Sequence, residues 1–271
     1  MSGLHSAAMQ DEFDITATWT EEAVRALGPG HAVPAGCRGS GSVGSLRWLA
    51  DRLALNPGDL LLDVGSGVGG PAAWVARDRQ VRPVCLEPMA GAVRASRHLF
   101  GLPSAAAMGR SLPVSSGVAA AAWSLGVLCT TVDKAAVLAE LYRVLRSGGR
   151  LGLLVFVQVA HVLPTPPPEG NSFPTENALN ALLRAASFDV LDQAVAHMDD
   201  NPPGWDDAAS AVAAEVQRRH GTDPRFERSA RQSARMGALL SAGAVRPTLL
   251  VAARGSSRGV AANAEPDIPI L

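Results

Sequence analysis

The sequence predicts an α/β protein: a seven-stranded, mostly parallel sheet with helices on both faces. Two observations carry that prediction. Short apolar runs alternate with helical periodicity from about residue 45 to residue 159, the rhythm of strand–helix units in a parallel sheet. One of those runs passes directly into a glycine-rich turn and then into a helix opened by proline, so the chain turns sharply where a strand ends. Composition permits the necessary core. Of 271 residues 47% are apolar, and 27 Gly with 19 Pro are too few for a disordered or collagen-like chain.

The elements follow in order. Residues 60–64, Leu-Leu-Leu-Asp-Val, read as a buried first strand, and Pro71 opens the next helix where its missing N–H does no harm. Residues 83–86 are the second strand, 89–99 its helix, and 105–108 a weaker third strand. Residues 118–124 form the fourth strand. Val137, Leu138, Leu141, Tyr142 and Leu145 recur at helical spacing, and that helix is expected to stop at Ser147-Gly148-Gly149. Residues 150–159 are a continuous apolar fifth strand. A Pro-rich loop, 161–174, leads to Thr175, which caps a helix ending near residue 186, and a sixth strand spans 188–195. Two polar helices, 206–219 and 225–240, precede a last strand at 246–253. The expected organisation is an N-terminal lid segment, 1–45, carrying Gly-Ser-Gly-Ser-Val-Gly at 39–44. A single domain over 46–254 follows, with 205–241 inserted as a helical lid, and then a disordered tail, 255–271.

Charge and cysteine usage exclude several classes. With 24 basic against 25 acidic side chains the net charge is −1, which argues against nucleic acid or an anionic membrane as partner. Lys134 is the only lysine, an arginine bias that fits a GC-rich genome. Cys37, Cys85 and Cys129 lie more than forty residues apart, neither a disulfide framework nor a metal-ligand spacing, so no metal and a reducing compartment are expected. The first residues lack the basic and apolar regions of a leader, and the apolar runs 118–129 and 151–157 fall short of the ~18 residues that span a bilayer. A soluble cytoplasmic protein is the expectation, with the lid helices as a surface for homo-oligomer formation.

The informative segment is Asp63-Val64-Gly65-Ser66-Gly67-Val68-Gly69-Gly70-Pro71. Gly65, Gly67 and Gly70 match the dinucleotide fingerprint G-x-G-x-x-G, a weakly specific pattern that suggests an NAD(P)-dependent oxidoreductase. Asp63 separates that reading from another. A carboxylate two residues before the first glycine would face a bound pyrophosphate, where like charges repel, whereas a ligand with a cationic amino acid end would be stabilised. Glu87, in Val84-Cys85-Leu86-Glu87-Pro88-Met89, ends the second strand, where a carboxylate can accept from both hydroxyls of a ribose. A nucleoside with a positive amino acid tail is S-adenosylmethionine.

Over about residues 46–156 the sequence resembles the class I S-adenosylmethionine-dependent methyltransferases, particularly the small-molecule group that includes the quinone C-methyltransferases. Asp63 to Gly69 resembles that family's first motif and Glu87 its ribose-binding acid. Trp123-Ser124-Leu125-Gly126 resembles its fourth-strand motif, and Arg143-Val144-Leu145-Arg146-Ser147-Gly148-Gly149 the turn before its fifth strand. The resemblance implies a Rossmann-like fold and a cofactor site formed by Asp63, Gly65, Ser66, Gly67, Gly69, Glu87, Pro88, Met89, Arg110, Ser111, Leu112, Ser124, Leu125 and Gly126. One departure stands out: Gly109-Arg110-Ser111 replaces the family's Gly-Asp-Ala turn, whose Asp meets the adenine amino group, leaving Met108 and Leu112 to sandwich the base.

In-line methyl transfer needs alignment and a dry pocket more than a universal catalytic residue. A base is required only where the acceptor loses a proton, and His161, just past the fifth strand, is the first candidate. His31, His197, Trp19 and Trp205 are candidate acceptor-site residues in the two lid segments, Arg38 a candidate partner for the cofactor carboxylate, and the Arg228, Arg231, Arg235 face a candidate for an anionic acceptor. Asn201-Pro202-Pro203 imitates the tripeptide of amino-methylating DNA enzymes but lies far from the fourth strand, so a small, largely apolar acceptor is expected. The alternatives are the oxidoreductase above, or a cofactor-binding protein doing chemistry other than methyl transfer, such as a cyclisation.

Overall fold

A computed structural model describes residues 2–255 of the chain. The sheet has seven strands in the order β3-β2-β1-β4-β5-β7-β6. They are β1 (Leu60–Val64), β2 (Arg82–Glu87), β3 (Ser104–Ala106), β4 (Ala119–Leu125), β5 (Leu145–Gln158), β6 (Phe188–Val195) and β7 (Val245–Arg254). Strands β1 to β5 pair in parallel, and β7 lies antiparallel between β5 and β6. The seven-stranded, mostly parallel sheet expected from the sequence is therefore present. Its strand order reverses between β1 and β4, and such a reversal opens a crevice at the carboxyl ends of the two strands.

The helices are α1 (Ser2–Leu27), α2 (Ala32–Gly36), α3 (Val43–Arg52), α4 (Gly70–Arg79), α5 (Ala90–Phe100), α6 (Lys134–Val144), α7 (Glu176–Ala185), α8 (Trp205–His220) and α9 (Pro224–Ser241), with a 3-10 turn at Pro29–His31. Two apolar layers sandwich the sheet. On one face Leu62, Val64, Ala122, Leu151 and Leu153 meet α6 and α7 through Leu138, Leu141, Leu179 and Leu183. On the other, Leu61, Trp123, Leu154 and Val251 meet Leu46 and Leu49 of α3 and Val75 of α4. A third, separate cluster joins α1 to α8 through Trp19, Ala23, Val24, Val212 and Val216. Backbones approach closely where α2 meets α4: a Cβ on Gly70 would stand 2.2 Å from the Gly36 carbonyl carbon, so both positions require glycine.

Three expectations are corrected. A lid boundary at residue 45 falls inside α3, whose N-cap Ser42 accepts from Ser45 N–H at 3.1 Å and whose Leu46 and Leu49 belong to the sheet's core. The sixth helix ends at Val144 rather than at Ser147-Gly148-Gly149, and those glycines instead lie in β5, beside a register shift in β4 between Ala119 and Ala121. Strand β3 is only Ser104–Ala106, because the chain then turns at 108–111 and Ala107 N–H bonds back to the Glu87 carbonyl at 3.1 Å. The tail expected from Gly255 lies outside the described residues except for Gly255, whose N–H donates to Ser187 O at 3.0 Å.

Candidate active site

Strand β1 delivers Asp63 to its carboxyl end, fully buried at 1% exposure, and the chain turns at once through Gly65 (φ +77°), Gly67 (φ +53°) and Gly69 (φ +88°) into α4. The left-handed backbone there favours glycine. A Cβ on Gly65 would stand 2.2 Å from the Val127 side chain, whereas one on Gly67 would meet nothing within 4 Å, so Gly67 borders open space. Asp63 Oδ2 accepts no hydrogen bond of good geometry among the described residues; the Trp123 indole N–H, close enough to act on the carboxyl, is likewise unpaired. Burial lifts its carboxyl to about 7; Trp123 pulls the value back and the Glu87 charge adds to the rise.

Glu87, also buried, ends β2 and ties the site together. Its Oε2 accepts from Gly67 N–H at 2.8 Å and its Oε1 from Met89 N–H at 3.2 Å. Burial raises the Glu87 pKa, those two amides oppose the rise, and the nearby Asp14 adds to it. Asp14 reaches from α1 to accept from Gly91 N–H at 2.5 Å in the first turn of α5, so α1 is fastened beside the carboxylates. Ala17 of α1 packs with Val68, Ala92 and Ala95, with Met89 against them. Segment 37–41 covers the ends of β1, β4 and β5. Cys37 stands near enough to Asp63 for that charge to add to the burial that raises its thiol pKa. The Gly39 carbonyl lies 3.1 Å from a Cβ placed on Gly126, and Leu154 lies 2.9 Å from one placed on Gly41. Ser42 Oγ to His197 O at 2.5 Å, Gly44 N–H to Asp200 O at 2.9 Å and Val43 N–H to Asn201 Oδ1 at 2.9 Å fasten the segment to the turn after β6.

The structure thus gathers Asp63, Gly65, Ser66, Gly67, Gly69, Glu87, Pro88 and Met89 with Leu125 and Gly126 at the strand ends. It redistributes the rest. Ser124 is fully buried and its hydroxyl donates to Val64 O at 2.9 Å, so it clamps β4 to β1 and offers nothing to a ligand. Arg110 is exposed on a turn closed by Ser111 N–H to Met108 O at 2.8 Å. Leu112 is buried in the core, its N–H held by Glu140 at 2.8 Å, so only the exposed Met108 of the expected sandwich faces outward. His161 and His197 are exposed and line neither of the two cavities described below. His31 packs its ring nitrogen against its own turn, Nδ1 lying 3.3 Å from Gly28 O. Trp19 is only 3% exposed and stacks on His220 at 4.7 Å between ring centroids, a lid-core residue rather than an acceptor wall. Arg38 donates to Ser233 of α9 at 3.3 Å. Arg231 pairs with Glu227 on its own helix at 3.4 Å, both side chains well exposed. Sequence reading passed over Asp14, which carries no local motif; it weighed Cys37 only as a disulfide or metal ligand and Asn201 only within the Asn-Pro-Pro tripeptide.

Two cavities flank Trp205. An inner chamber of about 190 Å³ lies between α1, segment 37–41 and α8, and an outer groove of about 590 Å³ lies over α4 and residues 202–204.

Residues 62–153 match the family model described as a methyltransferase domain. The match includes both carboxylates and the glycine loop and stops inside β5, so α1 to α3 and α7 to α9 lie outside it. Methyltransferase GfsG of Streptomyces halstedii is 34% identical over 116 residues, 39% of this chain and 40% of that protein, so the match spans well under half of either. Two solved structures resemble more than three quarters of the chain. The [4+2]-cyclase SpnF is 25% identical, with a TM-score of 0.61 over 78% of this chain and 80% of its own. A putative sarcosine dimethylglycine methyltransferase from Galdieria sulphuraria is 17% identical, with a TM-score of 0.62 over 79% and 86%. The chain therefore shares the Rossmann-like fold of these structures. No helix among the described residues is long and apolar enough to cross a membrane.

Proposed function

We propose that the protein is an S-adenosylmethionine-dependent methyltransferase acting on a small, largely apolar molecule. The observation that carries this reading is Asp63: a buried carboxylate with an unpartnered oxygen beside a glycine turn that opens onto free space at Gly67. A buried acceptor without a donor is costly, and an ammonium group answers both its charge and its missing hydrogen bond. A pyrophosphate there would meet Asp63 and Glu87 as like charges, which disfavours the dinucleotide reading. Glu87 uses one lone pair of each oxygen on Gly67 and Met89, so further acceptor capacity remains for ribose hydroxyls. When bound, the cofactor supplies an electrophilic methyl group on a sulfonium. The chain's own part is to orient: Asp63 and Glu87 fix the two ends of the ligand, while α1 and segment 37–41 exclude water above them.

A second reading keeps the same ligand but not methyl transfer, and it is favoured by the similarity to a [4+2]-cyclase over most of the chain. Calorimetry with S-adenosylhomocysteine tests what the two readings share. Binding is expected for the wild type and abolished in Gly67→Val and Asp63→Ala, while Glu87→Ala loses more than the ~1 kcal/mol of a neutral hydrogen bond. A response to NAD with none to S-adenosylhomocysteine would overturn both. Transfer of a labelled methyl group to a small molecule in a cell extract supports the first reading over the second.

A further inference from the structure

We propose that the inner chamber between α1, segment 37–41 and α8 is the acceptor site, built for a compact, neutral, largely apolar molecule carrying hydroxyl groups, with Trp205 as the wall that limits its size. The proposal rests on the cofactor reading above and names the substrate class for it.

Location comes first. Cys37, Arg38, Gly39 and Gly41 line the chamber, and the same segment lies against the ends of β1, β4 and β5. Its floor is therefore the segment that lies against Asp63 and Gly126. Cys37 of that segment lines the chamber and also stands near Asp63, so the chamber adjoins the carboxylate end of the site.

The chemistry of the wall sets the class. Pro34, Ala35, Val212, Ala213 and Val216 give it an apolar body. Polar groups converge from three directions: Thr16 and Thr20, one turn apart on α1; Arg38 from the floor; and Asn201 with Asp206 at the start of α8. Asp206 accepts from Asn201 Nδ2 at 2.9 Å and Arg38 donates to Ser233 at 3.3 Å, and each keeps further hydrogen-bonding capacity. The chamber thus holds one guanidinium and one carboxylate. A charged acceptor of either sign would meet one like charge, whereas hydroxyl groups can donate to Asp206 and accept from Arg38.

Size is set by Trp205 and Pro34, which line both the chamber of about 190 Å³ and the outer groove of about 590 Å³. They form the wall between the two. Trp205 follows Gly204 (φ +77°) at the first position of α8.

The probe for testing this is 1-naphthol, neutral and hydroxylated, compared with 1-naphthoate and 1-naphthylmethylamine. Calorimetry runs in parallel with S-adenosylhomocysteine on the full chain. The expected result is saturable 1-naphthol binding, at least about tenfold tighter than either charged analogue, and lowered about tenfold or more by Ala209→Trp with S-adenosylhomocysteine affinity unchanged. Hydrogen exchange on the wild type needs no variant: 1-naphthol should slow α1 and residues 205–216 and leave the β6 edge unaffected. Trp205→Ala should admit 17β-estradiol, which the wild type rejects. Protection that maps elsewhere, tighter binding of a charged analogue, or unchanged 1-naphthol affinity in a folded Ala209→Trp protein would overturn the assignment. Loss of the S-adenosylhomocysteine response with naphthol binding intact would strike the cofactor reading instead.

Discussion

Asp63 concentrates more of the site's physics than any other side chain. It is buried, one of its oxygens has no donor, and its carboxyl titrates near 7 because burial penalises the charged form. Its raised value has two consequences of opposite sign. In the folded, ligand-free protein the group stays protonated between the ordinary carboxylate range and about 7, while in the unfolded chain it ionises there. The ligand-free protein therefore loses stability as pH rises through that window and levels off above it. A cationic ligand needs the carboxylate, so affinity for S-adenosylhomocysteine should rise about tenfold from pH 6 to pH 8, with uptake of the ligand releasing a proton. Calorimetry in buffers of different ionisation enthalpy measures that proton directly. Asp63→Asn should abolish the pH dependence along with most of the affinity, and a flat profile in the wild type would show that Asp63 does not face the ammonium group. Asp63 and Glu87 were both legible in the sequence because each sits at a fixed offset from a strand end. Asp14 was not: it reaches the site across 77 residues of sequence, through a helix with no motif.

Elements were legible in proportion to how much of their pattern is local. Strands β1, β2 and β4 announce themselves as apolar runs because both of their faces are covered. The helices α8 and α9 read correctly to within a residue or two at each end. Helix α1 did not, because its apolar side chains serve different partners: Ala17 faces Val68 and α5, whereas Trp19, Ala23 and Val24 face α8. Ser147-Gly148-Gly149 misled for a related reason, since a glycine pair reads equally as a helix stop or as an irregularity inside a strand. The neighbouring Arg143 belongs to the motif that suggested the family, and its structural work is to fasten the segment 112–116 to α6. Its guanidinium pairs with Glu140 at 2.7 Å and donates to Leu112 O at 3.0 Å, to Val114 O at 2.7 Å and to Ser116 Oγ at 3.2 Å. Arg143→Met should cost about 2 kcal/mol, discounted for a side chain that is one-third exposed, and lower Tm by several degrees. Arg143→Lys should recover little of that loss, because an ammonium cannot reproduce the planar fork. Thermal unfolding followed by far-UV circular dichroism measures both.

At the scale of the molecule, the protein is a sheet with two covered faces and a separate helical cluster, α1 with α8 and α9, which the proposed function makes a lid. Trp19 is the largest side chain in that third cluster, stacked on His220 and tilted against Phe226 at 6.5 Å between centroids, so α1, α8 and α9 converge on one ring. None of the other residues in that cluster belongs to the sheet. The lid should therefore fail separately. Trp19→Ala should remove about 3–5 kcal/mol from the lid's packing, comparable to the whole stability of so small a cluster. The expected outcome is a variant in which α1 and α8 exchange their amide hydrogens rapidly while β1, β4 and β5 keep full protection. Unfolding should cease to be a single transition. Because Asp14 and Ala17 lie on α1 beside Glu87 and Val68, S-adenosylhomocysteine affinity should weaken without vanishing, whereas 1-naphthol binding, which needs α1 and α8 together, should be lost. Saturating S-adenosylhomocysteine should partly restore the exchange protection of α1, since a ligand that binds only the closed form stabilises it by mass action. A single cooperative loss of lid and sheet together would show instead that the third cluster is an extension of the main core and that the lid has no stability of its own.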